Sequence, residues 1–183
     1  MDMKLSGAIK HFNTITRHRH QVIRHCCKAG IVWRGLMHDL SKYTPTEFRE
    51  GANNWLGTRS PNEKARADKG YSLAWLHHQG RNRHHFEYWY DYNPKTHRRE
   101  PVKMPFVFVL EMFCDRVAAS KIYQGKQYTD RHPLDYFLRA KPHRVIDPQT
   151  SDLLESWLVM LAEQGEKETF AYLRRLRKTK FDY

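Results

Sequence analysis

Gly35-Leu36-Met37-His38-Asp39-Leu40-Ser41-Lys42-Tyr43 is the stretch on which the reading of this chain turns. An adjacent histidine and aspartate stand inside an apolar, helix-patterned run, flanked by Leu36, Met37 and Leu40. That setting predicts that both polar groups point inward. A buried carboxylate and imidazole need partners, and a metal ion serves both at once. Adjacent helix positions diverge by about 100°, so the two side chains reach one cation only if it lies between their directions. A carboxylate can also bridge two cations with water between them. The alternative is a hydrogen-bonded pair with a structural role alone.

The pattern on either side is helical. Before the pair, Ala8, Ile9, Phe12, Ile15, Val22 and Cys26 recur at helix spacing, predicting one helix over 6–29 that Gly30 ends. His18, His20 and His25 fall on its polar side. A second helix over 31–42 carries the pair. After it, Thr44-Pro45-Thr46-Glu47 and Ser60-Pro61-Asn62-Glu63 both have the layout of a capping box with proline at the first helical position. These two starts predict helices ending near Asn54 and Lys69-Gly70, linked through Gly57 and Thr58. Residues 71–78 resume the apolar pattern and lead into His77-His78-Gln79-Gly80-Arg81-Asn82-Arg83-His84-His85.

From Asp91 to Pro105, prolines at 94, 101 and 105 stand among charges and predict a loop. Residues 106–124 form the most apolar helix candidate, with Glu111, Asp115 and Arg116 inside it. A short helix after Pro133, an amphipathic one over 151–164 and a last one beyond Gly165 complete the chain, which ends in the basic run Arg174–Lys180. Almost nothing alternates with a strand period. The expected fold is all-α: one helical-bundle domain with its core in 1–130 and C-terminal helices of 131–183 packing on it.

Composition narrows the function classes. The 183 residues carry a net charge of +12, which favours an anionic partner such as a phosphorylated small molecule, a nucleotide or nucleic acid. Three cysteines, Cys26, Cys27 and Cys114, make no disulfide framework, and the lack of a C-x-x-C argues against a structural zinc finger. No apolar run reaches the ~18 residues of a membrane span. With no signal-peptide pattern, the expectation is a cytoplasmic protein without a membrane partner.

The metal-capable residues fall on four segments: a histidine of the first helix, His38-Asp39, the histidines at 77–85, and Asp115. Imidazole with carboxylate suits first-row transition cations, and two such ions could share Asp39. In this order the chain resembles the HD-domain superfamily of helical, metal-dependent phosphohydrolases. The resemblance spans roughly residues 15–125 and runs His18, His38-Asp39, His77-His78, Asp115, with His20 as the competing first histidine. A closer resemblance is to a bacterial and phage branch of unknown function. It rests on Gly35-Leu36 before His38-Asp39-Leu40-Ser41-Lys42-Tyr43, on Ala74-Trp75-Leu76-His77-His78 and on Glu111-Met112 through Lys121. It extends over most of the chain and carries no activity with it.

The superfamily resemblance implies an HD-type bundle binding one or two divalent ions of manganese, iron, cobalt, nickel or zinc. The expected ligands are His18, His38, Asp39, His77, His78 and Asp115. His84 or His85 is a further candidate as ligand or as proton donor near the leaving group. The resemblance also has Lys42 facing substrate phosphate. Lys42 follows Asp39 by three residues and shares nearly the same helix face. Arg81 and Arg83 stand where they could clamp phosphate oxygens. The leading expectation is hydrolysis of a nucleotide or other phosphoester. Two others stand beside it: a di-iron oxygenase of the same site type, and a basic nucleic-acid-binding module whose metal is structural or absent.

Overall fold

The computed structural model describes residues 5–57, 60–179 and 181–183; Thr58 in the expected link and Lys180 in the basic run lie outside them. Eight α-helices and one small hairpin make up the described residues, so the fold is all-α as expected. The helices are α1 (Leu5–Ala29), α2 (Val32–Met37), α3 (Pro45–Asn53), α4 (Pro61–Lys69), α5 (Leu73–Gln79), α6 (Phe106–Gln124), α7 (His132–Ala140) and α8 (Pro148–Lys178). Among the described residues, no helix is long and apolar enough to cross a membrane.

Helix α6 is the axis of the bundle. Nine consecutive or near-consecutive side chains from Phe108 to Ala118 are buried, Glu111 among them. It packs on α1 on one side and on α7 and α8 on the others. One apolar cluster joins Val22 and Cys26 of α1, Phe113 and Val117 of α6, Phe137 of α7, and Trp157 and Phe170 of α8. Gly165 (φ 77°, ψ 171°) kinks α8, so the two helices expected around it run on from one another through a bend that glycine adopts without a Cβ penalty.

The buried stripe of α1 keeps Ala8, Ile15, Val22 and Cys26 of the expected one, but not Ile9 and Phe12. His11, His18 and His25, seven residues apart, lie on the buried face with Ile15 and Val22, while His20, Ile9 and Phe12 are exposed. Inward histidines are retained because each meets groups inside the bundle. The His25 ring, for example, stacks on Phe170 and places Nδ1 3.2 Å from the Cys114 carbonyl.

The expected helix over 31–42 is also interrupted. It stops at Met37. His38 turns extended, Asp39 takes a left-handed conformation (φ 54°), and Leu40–Tyr43 form a 3-10 turn. Aspartate tolerates this region better than most residues. Arg19 holds the break from outside, donating to the carbonyls of His38 (3.0 Å) and Leu36. The break removes the 100° divergence of neighbouring helix positions, so His38 and Asp39 both turn inward. Leu36, Met37 and Leu40 go outward, each more than two-fifths exposed.

Gly35 allows α2 to lie tightly on α1. A Cβ there would stand 2.7 Å from the Cys26 Cβ and 3.2 Å from the Ile23 Cα, which is backbone. Gly35→Ala is therefore expected to push α2 away and destabilise the chain by ~1–3 kcal/mol. Urea denaturation measures this, and an unchanged midpoint would contradict the tight packing.

The two proline starts are where the sequence places them, at Pro45 and Pro61, but the full capping boxes do not form. Ser60 Oγ accepts from the Asn62 amide, whereas Thr44 makes no cap bond and donates instead to the Ser41 carbonyl. Glu47 does not reach back to its cap because two histidines of α5 take both its oxygens. The expected loop over 91–105 is in part an antiparallel hairpin, β1 (Tyr90–Asn93) with β2 (Arg98–Pro101). Its prolines stand in the turn, at a strand end and at the N-cap of α6, where no ladder donor is lost.

Candidate metal centre

Four parts of the fold converge beside α6. Helix α1 supplies His18. The break after α2 supplies His38 and Asp39. Helix α5 and the turn after it supply His78, His84 and His85, and α6 supplies Asp115. Asp39 lies between two donor groups and offers one oxygen to each. His18, His38, Asp39 and Asp115 form the first; Asp39, His78, His84 and His85 form the second.

In the first group His18 Nε2 is 2.9 Å from Asp115 Oδ1. His38 Nε2 is 3.3 Å from Asp39 Oδ2 and 3.5 Å from Asp115 Oδ1. In the second, Asp39 Oδ1 is 3.3 Å from His78 Nε2 and 3.4 Å from His84 Nε2, and His78 Nε2 is 2.9 Å from His85 Nε2. Donor atoms held about 2.0–2.1 Å from one cation lie roughly 3.0–3.4 Å apart. The observed separations suit that requirement in both groups.

Five of these atoms, His18 Nε2, His38 Nε2, His84 Nε2 and both oxygens of Asp39, are buried and make no well-aligned hydrogen bond; their close contacts are with one another, with His78 and Asp115 and, for Asp39 Oδ2, with Lys42. Buried polar atoms are nearly always satisfied. Five underbonded donors gathered about one carboxylate therefore suit a cation.

The remaining ring nitrogens are held. His38 Nδ1 donates to Glu111 Oε1 at 3.0 Å, and His84 Nδ1 lies 3.3 Å from the same oxygen. Arg34 closes that arrangement with Nε 2.7 Å from Glu111 Oε2, its guanidinium stacked on Phe108. His78 Nδ1 donates to Glu47 Oε2 at 2.7 Å. A carboxylate on Nδ1 fixes the ring and leaves the Nε2 lone pair free, the usual support behind a ligating histidine.

Charge is arranged to the same end. Burial opposes the charge of Asp39, but His38, Lys42 and His78 around it hold its carboxyl well below the usual range. Asp115 is likewise held low against burial by His18 and His38. Burial, with neighbouring cations, lowers His84 and His85, keeping these rings neutral at pH 7 as ligands must be. His38 goes the other way. Burial disfavours its charge, yet Asp39, Asp115 and Glu111 raise it well above its ordinary value. A cation taking its place would have to displace that proton, so binding tightens as pH rises.

The structure thus brings together His18, His38, Asp39, His78 and Asp115 of the expected ligands, with His84 and His85. His20 is exposed and stands apart. His77 is outside both groups, its Nδ1 on Glu47 Oε1 at 2.6 Å. Of two neighbours on a helix only one can face the centre, and it is His78. Lys42 Nζ lies 2.6 Å from Asp39 Oδ2 and is about a third exposed, at the rim. Arg83 is not brought to the centre; its guanidinium lies over Tyr88 and Phe108. Arg81 is exposed, its guanidinium on the His77 carbonyl.

Glu47 and Glu111 are supporting residues that the sequence reading does not place at the centre: it makes Glu47 a helix cap and leaves Glu111 within a family motif. Glu111 has a legible signal: it precedes Asp115 by four residues, one turn away on the same face of a very apolar helix. The division between His77 and His78 is open to a direct check. His78→Ala is expected to lower the bound metal by about one ion per chain, and His77→Ala to leave it unchanged, by elemental analysis of both variants. Equal losses would contradict the division.

Comparison with known proteins adds a family. A model of a family of unknown function, DUF5662, matches residues 7–160. No curated protein and no solved structure matches the chain.

Proposed function

The chain belongs to the DUF5662 family, and for it we propose metal-dependent hydrolysis of a phosphoester, a nucleotide or another small phosphorylated molecule. The observation that carries this reading is the pair of buried donor groups that share Asp39, with five donor atoms that make no well-aligned hydrogen bond. The resemblance to helical phosphohydrolases of the HD type, in the order His18, His38-Asp39, His78, Asp115, supports the choice of a phosphoester. The basic charge of the chain agrees with it.

His18, His38, Asp39 and Asp115 would hold one cation, and Asp39, His78, His84 and His85 a second. Divalent cations held there would polarise a phosphoryl oxygen and let water ionise near neutral pH. Imidazole with carboxylate suits manganese, iron, cobalt, nickel or zinc.

The chain's own groups do the rest. Glu111 and Glu47 keep His38, His84 and His78 in the tautomer that presents Nε2. Lys42, at the rim with its charge reinforced by Asp39 and Asp115 against burial, is placed to neutralise a phosphate oxygen. A cleft runs outward from Lys42 and His78 between His11, Trp55, Asn62 and Tyr123, and would take the organic part of the substrate.

The test is elemental analysis of protein purified without a histidine tag, followed by assays on nucleoside monophosphates, cyclic nucleotides, sugar phosphates and 4-nitrophenyl phosphate. At least one transition metal per chain is expected, with hydrolysis that EDTA abolishes. Lys42→Ala is expected to keep its metal and lose about tenfold or more in kcat/KM, as a charge-assisted contact to phosphate would. Hydrolysis that survives removal of all metal would overturn the reading. Two irons with a mixed-valent signal and oxygen uptake would replace it with oxidation.

A further inference from the structure

A second cluster of charged groups lies on the far flank of the centre, and none of the donors above belongs to it. Arg116 follows Asp115 in α6. Arg144 lies in the segment between α7 and α8. Glu87 stands in the 3-10 turn Phe86–Tyr88, just after His84 and His85. The guanidinium carbon of Arg116 is 5.8 Å from the ring centre of Phe137. That of Arg144 is 5.4 Å from Tyr136, the neighbour of Phe137 on α7, and 5.8 Å from Phe86, the neighbour of Glu87. Both guanidinia therefore lie against neighbouring residues of α7, and Arg144 reaches the Phe86–Tyr88 turn as well. The two are close enough that the charge of Arg144, after burial, helps lower the Arg116 pKa to about 10.

Arg116 Nε, Arg144 Nη1 and Glu87 Oε2 are all buried without a hydrogen-bond partner. The side-chain bond found for Arg116 runs to the Met112 sulfur at 3.8 Å. Among the described residues neither arginine forms an ion pair. The fold treats its other inward cations differently: Arg34 pairs with Glu111, Lys42 with Asp39, and Lys121 with Glu166. Two like charges share this space with one carboxylate that reaches neither of them. The cationic side is left in excess, and each fork offers several unused N–H donors.

We propose that Arg116 and Arg144 form a receptor for a phosphate group, separate from the metal centre and adjoining it. Guanidinium forks bind tetrahedral oxyanions through paired hydrogen bonds, and two forks converging from α6 and from the α7–α8 segment would share the oxygens of one such ion. Glu87 is the competing negative charge in the same space. The inference goes beyond the metal reading and stands whether or not a metal binds.

Inorganic phosphate titrated into the full chain by calorimetry tests it, against chloride at equal ionic strength. The wild type is expected to show one saturable phosphate site that Arg144→Gln weakens about tenfold or more. Arg139→Gln makes the same charge change at an exposed position of α7 and is expected to stay within about twofold. Glu87→Gln is expected to tighten phosphate by about threefold or more, because it removes the competing charge. Arg116 sits on the packed helix, so Arg144, in a connecting segment, carries the decisive variant, with Arg144→Lys keeping the charge and losing the fork. Metal content of Arg144→Gln should equal that of the wild type, which separates this site from the centre. No saturable phosphate binding, or a loss in Arg144→Gln no larger than in Arg139→Gln, would overturn the proposal. Phosphate held only at the metal centre would give that second result.

Discussion

Asp39→Ala is expected to abolish metal binding by the chain. Both donor groups meet at this carboxylate: Oδ2 faces His38, and Oδ1 faces His78 and His84. Removing it takes one ligand from each group and the only charge they share. Metal affinity is expected to fall by more than the 10–100-fold that loss of a supporting residue costs. Elemental analysis should then read below about one-tenth of an ion per chain. The protein loses a second contribution as well. Asp39 is 1% exposed and is the counter-ion of Lys42 and His38. Lys42, a third exposed, loses its carboxylate, while His38 keeps Glu111 and Asp115, so the cost is about 1–3 kcal/mol. The two effects separate by adding EDTA. Chelation should lower the melting temperature of the wild type, since a ligand bound to the folded state stabilises it, and leave that of Asp39→Ala where it is. A variant that keeps its metal would remove Asp39 from the centre.

Glu111→Gln is expected to have the next largest effect, though Glu111 is placed here as a support and not as a ligand. Its side chain is 1% exposed and receives His38, His84 and Arg34 together. Glutamine keeps the shape but loses the charge and offers two N–H donors where only acceptors are wanted. His38 and His84 would lose the group that fixes their tautomer, and metal affinity should fall about 10–100-fold. Metal-free protein adds a pH signature. Burial opposes the Glu111 charge, but the hydrogen bonds from His38 and His84 bring its pKa down to about 2, from 4.5. A carboxyl lowered on folding stabilises the protein above pH 4.5, by about 3 kcal/mol here, and that contribution fades as pH falls from 4.5 toward 2. Urea midpoints of the metal-free wild type should drop over that interval, while those of Glu111→Gln start lower and change less. Parallel curves would mean that Glu111 carries no special share of the acid response.

Much of this centre is legible in the amino-acid sequence. A His-Asp pair in an apolar run and an aspartate inside the most apolar helix each break the local pattern in the same way. Each puts a polar group where only a partner makes burial tolerable. His18, read on the polar side of the first helix, is singled out through the resemblance alone. What is not legible there has a common cause, because it depends on contacts between distant segments. The break at His38–Asp39 is held by Arg19 of α1, and nothing in residues 31–42 announces it. Glu47 has the local chemistry of a capping residue, yet His77 and His78 offer it better partners. The hairpin after Trp89 is hidden by prolines that sit where a hairpin tolerates them. Residue type makes the outward Ile9 and Phe12 look like core, although the stripe through Ala8, Ile15 and Val22 runs past them on the side of His11.

The most direct measurement is an anomalous-difference map from crystals of tag-free protein grown with manganese or with its native metal. Two peaks are expected, one on each side of Asp39. One would be ringed by His18, His38 and Asp115, the other by His78, His84 and His85. A map without a peak at Asp39, or with its metal at His77 or His20 instead, would contradict this arrangement.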